Sequence, residues 1–154
     1  MGTHYEGTEE ERAALDAFIK LMRASQSVGS TMSSHLDEWD LTTSQFGVLE
    51  AVYHLGAMHQ KEIGTKLLKS GGNITVVINN LEKRGLVRRE RMESDRRYVR
   101  VHLTEEGREL ISEVLPHHVG RIVERFEVLT LSEQRRLGEL LRKLGRGSEM
   151  EDGD

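Results

Sequence analysis

The sequence predicts a mainly α (α+β) protein in which helices surround one two-stranded β-hairpin, with long helices toward both ends of the chain. Three observations predict it. Apolar residues recur at helical spacing over 9–36 and again near 137–144, two short stretches between 86 and 104 are rich in β-branched or alternating residues, and the charge is segregated. The 154 residues carry a formal net charge of -4, yet the window from Lys83 to Arg100 holds eight Lys/Arg against three Asp/Glu. That window is about +5 and the remainder about -9. Such segregation needs a cause.

The elements follow in order. Leu15, Phe18, Ile19, Met22, Val28 and Met32 form a helical stripe uninterrupted by proline, which predicts one long helix over 9–36 with Gly29 as a point of fraying. Thr42 with Gln45 three residues on has capping-box spacing, each side chain satisfying a backbone N–H that the first turn leaves unpaired. Phe46, Leu49, Val52 and Tyr53 then form the buried stripe of a second helix, which ends before Gly56. The stretch HQKEIGTKLLKSGGNITVVINNLEKRG reads as two helices around a Ser-Gly-Gly turn. Ile63 and Leu67 face inward on the first, and Ile74, Val77, Ile78 and Leu81 on the second.

After Gly85, LVRRERM and YVRVHLT are expected as strands and ESDRR as the loop between them, with Val99, Val101 and Leu103 buried opposite Arg100 and His102. Thr104 is the N-cap of a helix running into the 120s, with Glu105 and Glu106 placed where the helix dipole favours negative charge. Pro116 is expected to bend or break that helix. Thr130 and Glu133 repeat the capping box ahead of a stripe of Leu137, Leu140, Leu141 and Leu144. No repeat or linker divides the chain, so 1–154 reads as one domain. Within it, 42–104 form one lobe, 9–36 and 105–145 are long flanking helices, and 146–154 form a disordered tail.

Composition narrows the function. The content is 36% hydrophobic and 31% charged, and no apolar run approaches the roughly 18 residues that would cross a bilayer. The N-terminus MGTHYEGTEEER lacks the basic and apolar regions of a secretory signal, and the absence of cysteine fits a cytoplasmic protein. Zero cysteine also excludes disulfides, thiolate metal sites and a cysteine nucleophile. Of the seven histidines, His117 with His118, His54 with His59, and His35 invite a metal reading, but adjacent histidines point to different helix faces and the sequence places no further carboxylate or histidine ligands, so neither metal nor other cofactor is expected. Gly-x-Ser-x-Gly, P-loop and HExxH patterns are all missing, which leaves no residue on which to place catalysis.

Helix-turn-helix followed by a basic hairpin suits duplex DNA, because a helix fits the major groove and a hairpin can reach the next groove. With its apolar residues inward, the second helix of the pair presents Thr75, Val76, Asn79 and Lys83. Valine can meet a thymine methyl, and asparagine can donate and accept at an adenine edge. Gly71 and Gly72 let the helix N-terminus approach phosphate. Lys61 and Lys66, on the preceding helix, and Arg96 in the hairpin loop add positive charge. Asp95, acidic at the centre of a basic loop, is placed to hold one arginine in a fixed direction.

Alternative readings stand beside these. The hairpin could be a solvated charged ribbon guarding edge strands, and Val76 an ordinary surface valine. Met32, His35, Trp39 and Tyr53 flank the junction of the first two helices, where they could line an effector cleft or simply pack the core. The terminal leucine stripe could fill the chain's own core or bind a partner helix; a lone lobe offers too few neighbours for both terminal helices, which favours a homodimer.

The stretches LTTSQFGVLEAV and GGNITVVINNLEKRGLVRRERMESDRRYVRVHLTEEG resemble the multiple antibiotic resistance regulator (MarR) family of winged helix-turn-helix repressors. The resemblance covers nearly the whole chain, and the Asp-x-Arg wing tip followed by Leu-Thr-x-x-Gly is its specific part. It implies a salt bridge between Asp95 and Arg97, with the arginine entering a minor groove. It also implies recognition contacts from Ser70, Gly72, Asn73, Thr75, Val76 and Asn79, and dimerisation through the first and last helices. Many family members release DNA when a small aromatic or phenolic molecule enters a cleft between the lobes, and SGGNITVVINNLEKRG looks like the quinone- and phenol-responsive branch. Members that sense oxidants directly use a cysteine near the start of the first helix, and this chain has none. The expected function is a sequence-specific, homodimeric DNA-binding repressor; the competing reading is a winged-helix module whose basic hairpin meets an acidic protein partner.

Overall fold

The computed structural model describes residues 4–67 and 71–146. Helix α1 (Glu9–Asp37) starts at a capping box: Thr8 Oγ1 accepts from Glu11 N at 3.2 Å and Glu11 Oε2 accepts from Thr8 N at 2.8 Å. The helix runs unbroken through Gly29. The fraying expected there does not occur, because one glycine costs only about 1 kcal/mol relative to alanine within a helix of many turns. Helix α2 (Thr43–Leu55) has the expected Thr42–Gln45 box and ends at Gly56, whose φ of 79° suits a residue without a side chain.

Strand β1 (Met58–His59), helix α3 (Gln60–Lys66) and helix α4 (Gly71–Lys83) come next. Gly71 and Gly72, expected in the turn, belong instead to the first turn of α4, and Ser70 lies outside the described residues. Helix α4 closes with Gly85 N donating to Glu82 O at 2.9 Å and Leu86 N to Leu81 O at 3.0 Å. This paired closure requires the left-handed conformation that Gly85 adopts at φ 71°.

Strands β2 (Val87–Arg91) and β3 (Val99–Leu103) form the expected hairpin, registered Val87 to Leu103 and Arg89 to Val101. The sheet has a third strand: β1 pairs antiparallel with β3, giving the order β1-β3-β2. Two residues are too few to show alternation, so β1 leaves no periodic trace in the sequence. Helix α5 (Glu105–Phe126) continues through Pro116 rather than breaking there. The proline removes one backbone donor on an exposed face, a cost offset by burial of Ile111 and Val114 on the same helix. Helix α6 (Leu131–Arg146) starts at the Thr130–Glu133 box and includes Arg146, the first residue expected in the tail; the rest of that segment lies outside the described residues.

The chain packs as two compact units, one ending at Val119 and the other beginning at Gly120. The buried core belongs to the first. Leu36 of α1, Leu49 and Val52 of α2, Ile63 of α3, Ile74, Ile78 and Leu81 of α4, Val101 of β3 and Ile111 of α5 are all essentially inaccessible. Val48 joins them although it lies off the expected α2 stripe, and Tyr53 is only half-buried. In the second unit, Gln134 Nε2 donates to Phe126 O and Leu129 O, both at 3.1 Å, and ties the turn before α6.

The Leu-Thr-x-x-Gly ending now has a physical account. Thr104 Oγ1 donates to Gly85 O at 2.6 Å and accepts from Gly107 N at 3.1 Å, fastening the end of α4 to the start of α5. A Cβ on Gly107 would lie 2.0 Å from Leu86 O, a backbone atom with no freedom to withdraw. Gly107→Ala is therefore expected to cost about 1–3 kcal/mol, the usual range for overpacking. Urea unfolding should show a lower midpoint, and an unchanged midpoint would contradict the close approach.

Candidate nucleic-acid interface

The face of α4 directed away from the core carries the expected residues. Val76 is 57% exposed, Gly72, Asn73 and Lys83 are exposed, and Thr75 and Asn79 are half-buried. A Cβ on Gly72 would meet nothing within 4 Å among the described residues, so none of them demands the glycine there. Thr75 Oγ1 accepts from Gln60 Nε2 at 2.8 Å, which links the two helices of the helix-turn-helix.

Arg89 was not among the expected site residues, yet it joins the wing to α4. Its Nη2 donates to Asn79 Oδ1 and to Thr75 O at 3.3 Å, its backbone N donates to Glu82 Oε2 at 2.9 Å, and its Nη1 lies 3.9 Å from Glu82 Oε1. A signal existed in the sequence. Strand alternation puts Arg89 on the same sheet face as the buried Val87, and an arginine on an inward face must find acceptors.

At the wing tip Asp95 closes on Arg97. Arg97 Nε donates to Asp95 Oδ1 at 3.0 Å and Nη2 to Oδ2 at 2.9 Å, while Arg97 N also donates to Oδ1 at 3.0 Å. The Arg97 side chain is nevertheless 89% exposed. The side-chain bond to Arg97, and then the backbone N–H, lower the Asp95 pKa below its ordinary 3.8; Asp95 in turn raises that of Arg97. A depressed carboxylate keeps its pairing above its unfolded pKa and loses it only as pH falls through the lower folded value. The wing tip thus stays paired throughout the neutral range. Arg96 is exposed and makes no such side-chain bond among the described residues.

The wing and the helix pair share a surface. A groove of about 450 Å³ is lined by His59, Lys61, Thr65, Thr75, Arg97 and Tyr98, with the His59 and Tyr98 rings 5.5 Å apart. Lys61, Thr75 and Arg97 are thereby brought together, whereas Lys66 and Lys83 are exposed on α3 and α4 outside that lining.

The four candidate effector residues divide. Met32 and His35 are buried and Trp39 is half-buried; the His35 ring stacks 5.8 Å from that of His118, which lies 4.3 Å from Phe46, and Trp39 lies 5.7 Å from His117. Tyr53 instead packs against His54, at 5.2 Å, and under the Arg108 guanidinium, at 5.7 Å. Both ring nitrogens of His35, Nε1 of Trp39 and Nδ1 of His118 are buried and find no hydrogen-bond partner among the described residues. Burial, and then the charge of His35, push the His118 pKa below 6.5 against a smaller opposing pull from Glu50, so His118 is neutral at neutral pH. His118 was not singled out in the sequence as an effector residue, because its partner stands 83 positions away. Among the described residues, no three His, Asp or Glu side chains gather as metal ligands, and no helix is long and apolar enough to cross a membrane.

Comparison with known proteins places this geometry. The family described as transcriptional regulator SarA/Rot matches residues 30–114. The HTH-type transcriptional regulator MhqR of Bacillus subtilis (strain 168) is 35% identical over 132 residues, spanning 86% of this chain and 91% of MhqR. Bordetella bronchiseptica BpsR, whose DNA binding is regulated by 6-hydroxynicotinic acid, has a similar structure: TM-score 0.78, 29% identity, covering 84% of this chain and 98% of BpsR. The MarR family regulator Sco3205 of Streptomyces coelicolor, solved in complex with DNA, shares the fold at TM-score 0.83 and 23% identity, covering 95% of this chain and 92% of Sco3205.

Proposed function

Because this chain belongs to the MarR-type winged helix-turn-helix transcriptional regulators, and is thus a DNA-binding regulator, we propose that it is a cytoplasmic, homodimeric repressor. A small aromatic or phenolic ligand releases it from a pseudo-palindromic operator. It has no catalytic role. The observation that carries the DNA reading is the wing tip, where an almost fully exposed arginine is aimed by two bonds to one carboxylate beside the exposed face of α4. Val76 meets base edges, Gly72 and Asn73 approach phosphate at the start of α4, and Lys61, Lys66 and Lys83 supply sequence-independent attraction.

Unpartnered apolar faces support the dimer. Phe18 and Met22 of α1, Ile122 and Val123 of α5, and Leu140 and Leu144 of α6 are exposed, and no described residue of α6 is buried. A two-fold pair of these chains places recognition helices in successive major grooves, about 34 Å apart. The unpaired nitrogens of His35, Trp39 and His118 support the effector site, since buried polar groups without partners are costly and a ligand bearing both donor and acceptor groups satisfies them. Tyr53 belongs to this site only if the ligand extends beyond that cluster.

The test is titration of hydroxylated aromatic acids, phenols and hydroquinones into a preformed protein–operator complex under reducing conditions. At least one is expected to lower operator affinity and, by linkage, to bind the DNA-bound dimer more weakly than the free one. Mild peroxide is expected to have no effect, there being no thiol to oxidise. Release by peroxide alone, with methionine oxidation excluded by mass spectrometry, contradicts the effector mechanism. Binding to scrambled duplex as tight as to any selected sequence contradicts the operator itself and favours the protein-interaction module.

A further inference from the structure

An asparagine that reads adenine in the major groove must use both ends of its amide: Oδ1 accepts from the adenine N6 amino group and Nδ2 donates to N7. On α4 one of those ends is already occupied. Asn79 Oδ1 accepts from Arg89 Nη2, and the same guanidinium is fixed on the α4 backbone at Thr75 O and beside the Glu82 carboxylate. Arg89 is half-buried, its side chain being 23% accessible, and together these contacts hold its guanidinium against α4. The arrangement fixes which way the amide faces. The carbonyl is directed to the wing strand, and the NH2 group is the part of Asn79 left to donate.

We propose that Arg89 is a specificity-determining residue: by turning the Asn79 carbonyl toward the wing strand it makes Asn79 present chiefly its NH2 group, which favours guanine over adenine at one operator position in each half-site. Guanine presents two acceptors, N7 and O6, to the Asn79 amide. Adenine presents one acceptor beside an amino donor, and that donor meets either the Asn79 NH2 or an oxygen that is turned toward Arg89 with one of its two lone pairs already taken. The position contacted by Asn79 therefore differs from what the bare asparagine in the sequence implies. The inference rests on the reading of α4 as the recognition helix.

The test is selection of bound sequences from a random duplex pool by the wild-type protein and by the Asn79→Ala, Asn79→Asp and Arg89→Ala variants, each checked for folding by thermal melting. Wild type is expected to prefer guanine over adenine on the order of tenfold at the position whose preference Asn79→Ala abolishes. Arg89→Ala frees the carbonyl and is expected to raise adenine at that same position. Asn79→Asp keeps an acceptor for Arg89 but loses the donor, so it is expected to lose guanine without gaining adenine; this arm stands even if Arg89→Ala does not fold. Adenine selected by the wild type at the Asn79-dependent position, or guanine retained by Asn79→Asp, overturns the proposal. Failure of the recognition-helix reading looks different: the wild type selects no sequence, or Asn79→Ala alters no position, and the proposal falls with it.

Discussion

Arg97→Ala loses operator affinity on the order of tenfold to a hundredfold, while the melting temperature and the mass of the protein in solution stay unchanged. The side chain is solvated and, among the described residues, its hydrogen bonds go to Asp95, two residues away and outside the core. In a dimer the loss occurs at both wings and multiplies. Arg96→Ala, which removes the same charge without an aimed guanidinium, loses less and behaves as one screened phosphate contact. The measurement is fluorescence anisotropy with labelled operator at a fixed, near-physiological salt concentration. If Arg96→Ala costs more than Arg97→Ala, the assignment of the wing arginine is wrong.

Leu141→Glu combined with Leu144→Glu has a larger effect. Both leucines are exposed within the chain, at 41% and 64%, so glutamate there does not disturb the monomer's core. If α6 packs against a second chain, the two carboxylates are buried against apolar surface and repel their symmetry mates, which prevents association. Each winged-helix lobe then meets its half-site alone. Linking two sites raises apparent affinity by about 10²–10⁴, and that factor is lost. Sedimentation should report monomer, circular dichroism should report retained helix, and operator binding should fall on the order of a thousandfold. A variant that stays dimeric places the dimer interface elsewhere.

What could be read from the sequence depended on whether the cause was local. The Thr-x-x-Glu/Gln boxes at Thr42 and Thr130 mark helix starts because the reciprocal bonds span three residues; the box at Thr8 has the same form but is not among the expected caps. The Asp95–Arg97 pair, two positions apart, is equally local. By contrast, β1 is defined by pairing with Val101 and Arg100 some 40 residues later, and nothing in Met58–His59 announces it. Arg89 reaching Asn79 and His118 stacking on His35 are products of tertiary packing. Pro116 misled for a related reason, since a local rule for breaking helices was overridden by the burial of neighbouring residues on the same element. The extent of α6 could be read from its leucine stripe; what covers that stripe could not, because a partner leaves no periodicity in the chain it binds.

The carboxylate that closes on Arg97 also decides when the wing tip gives up its disorder. A long, exposed arginine ordinarily samples many rotamers and surrenders them on meeting a ligand, an entropic loss charged against binding. Here Nε, Nη2 and the backbone N–H are held on Asp95 before any DNA arrives, so most of that loss falls on the folding of the hairpin. Asp95→Asn should therefore weaken binding chiefly through a less favourable entropy in calorimetry. Arg97→Lys, although it retains the positive charge, should not restore function, because an ammonium has no planar fork for the carboxylate to grip.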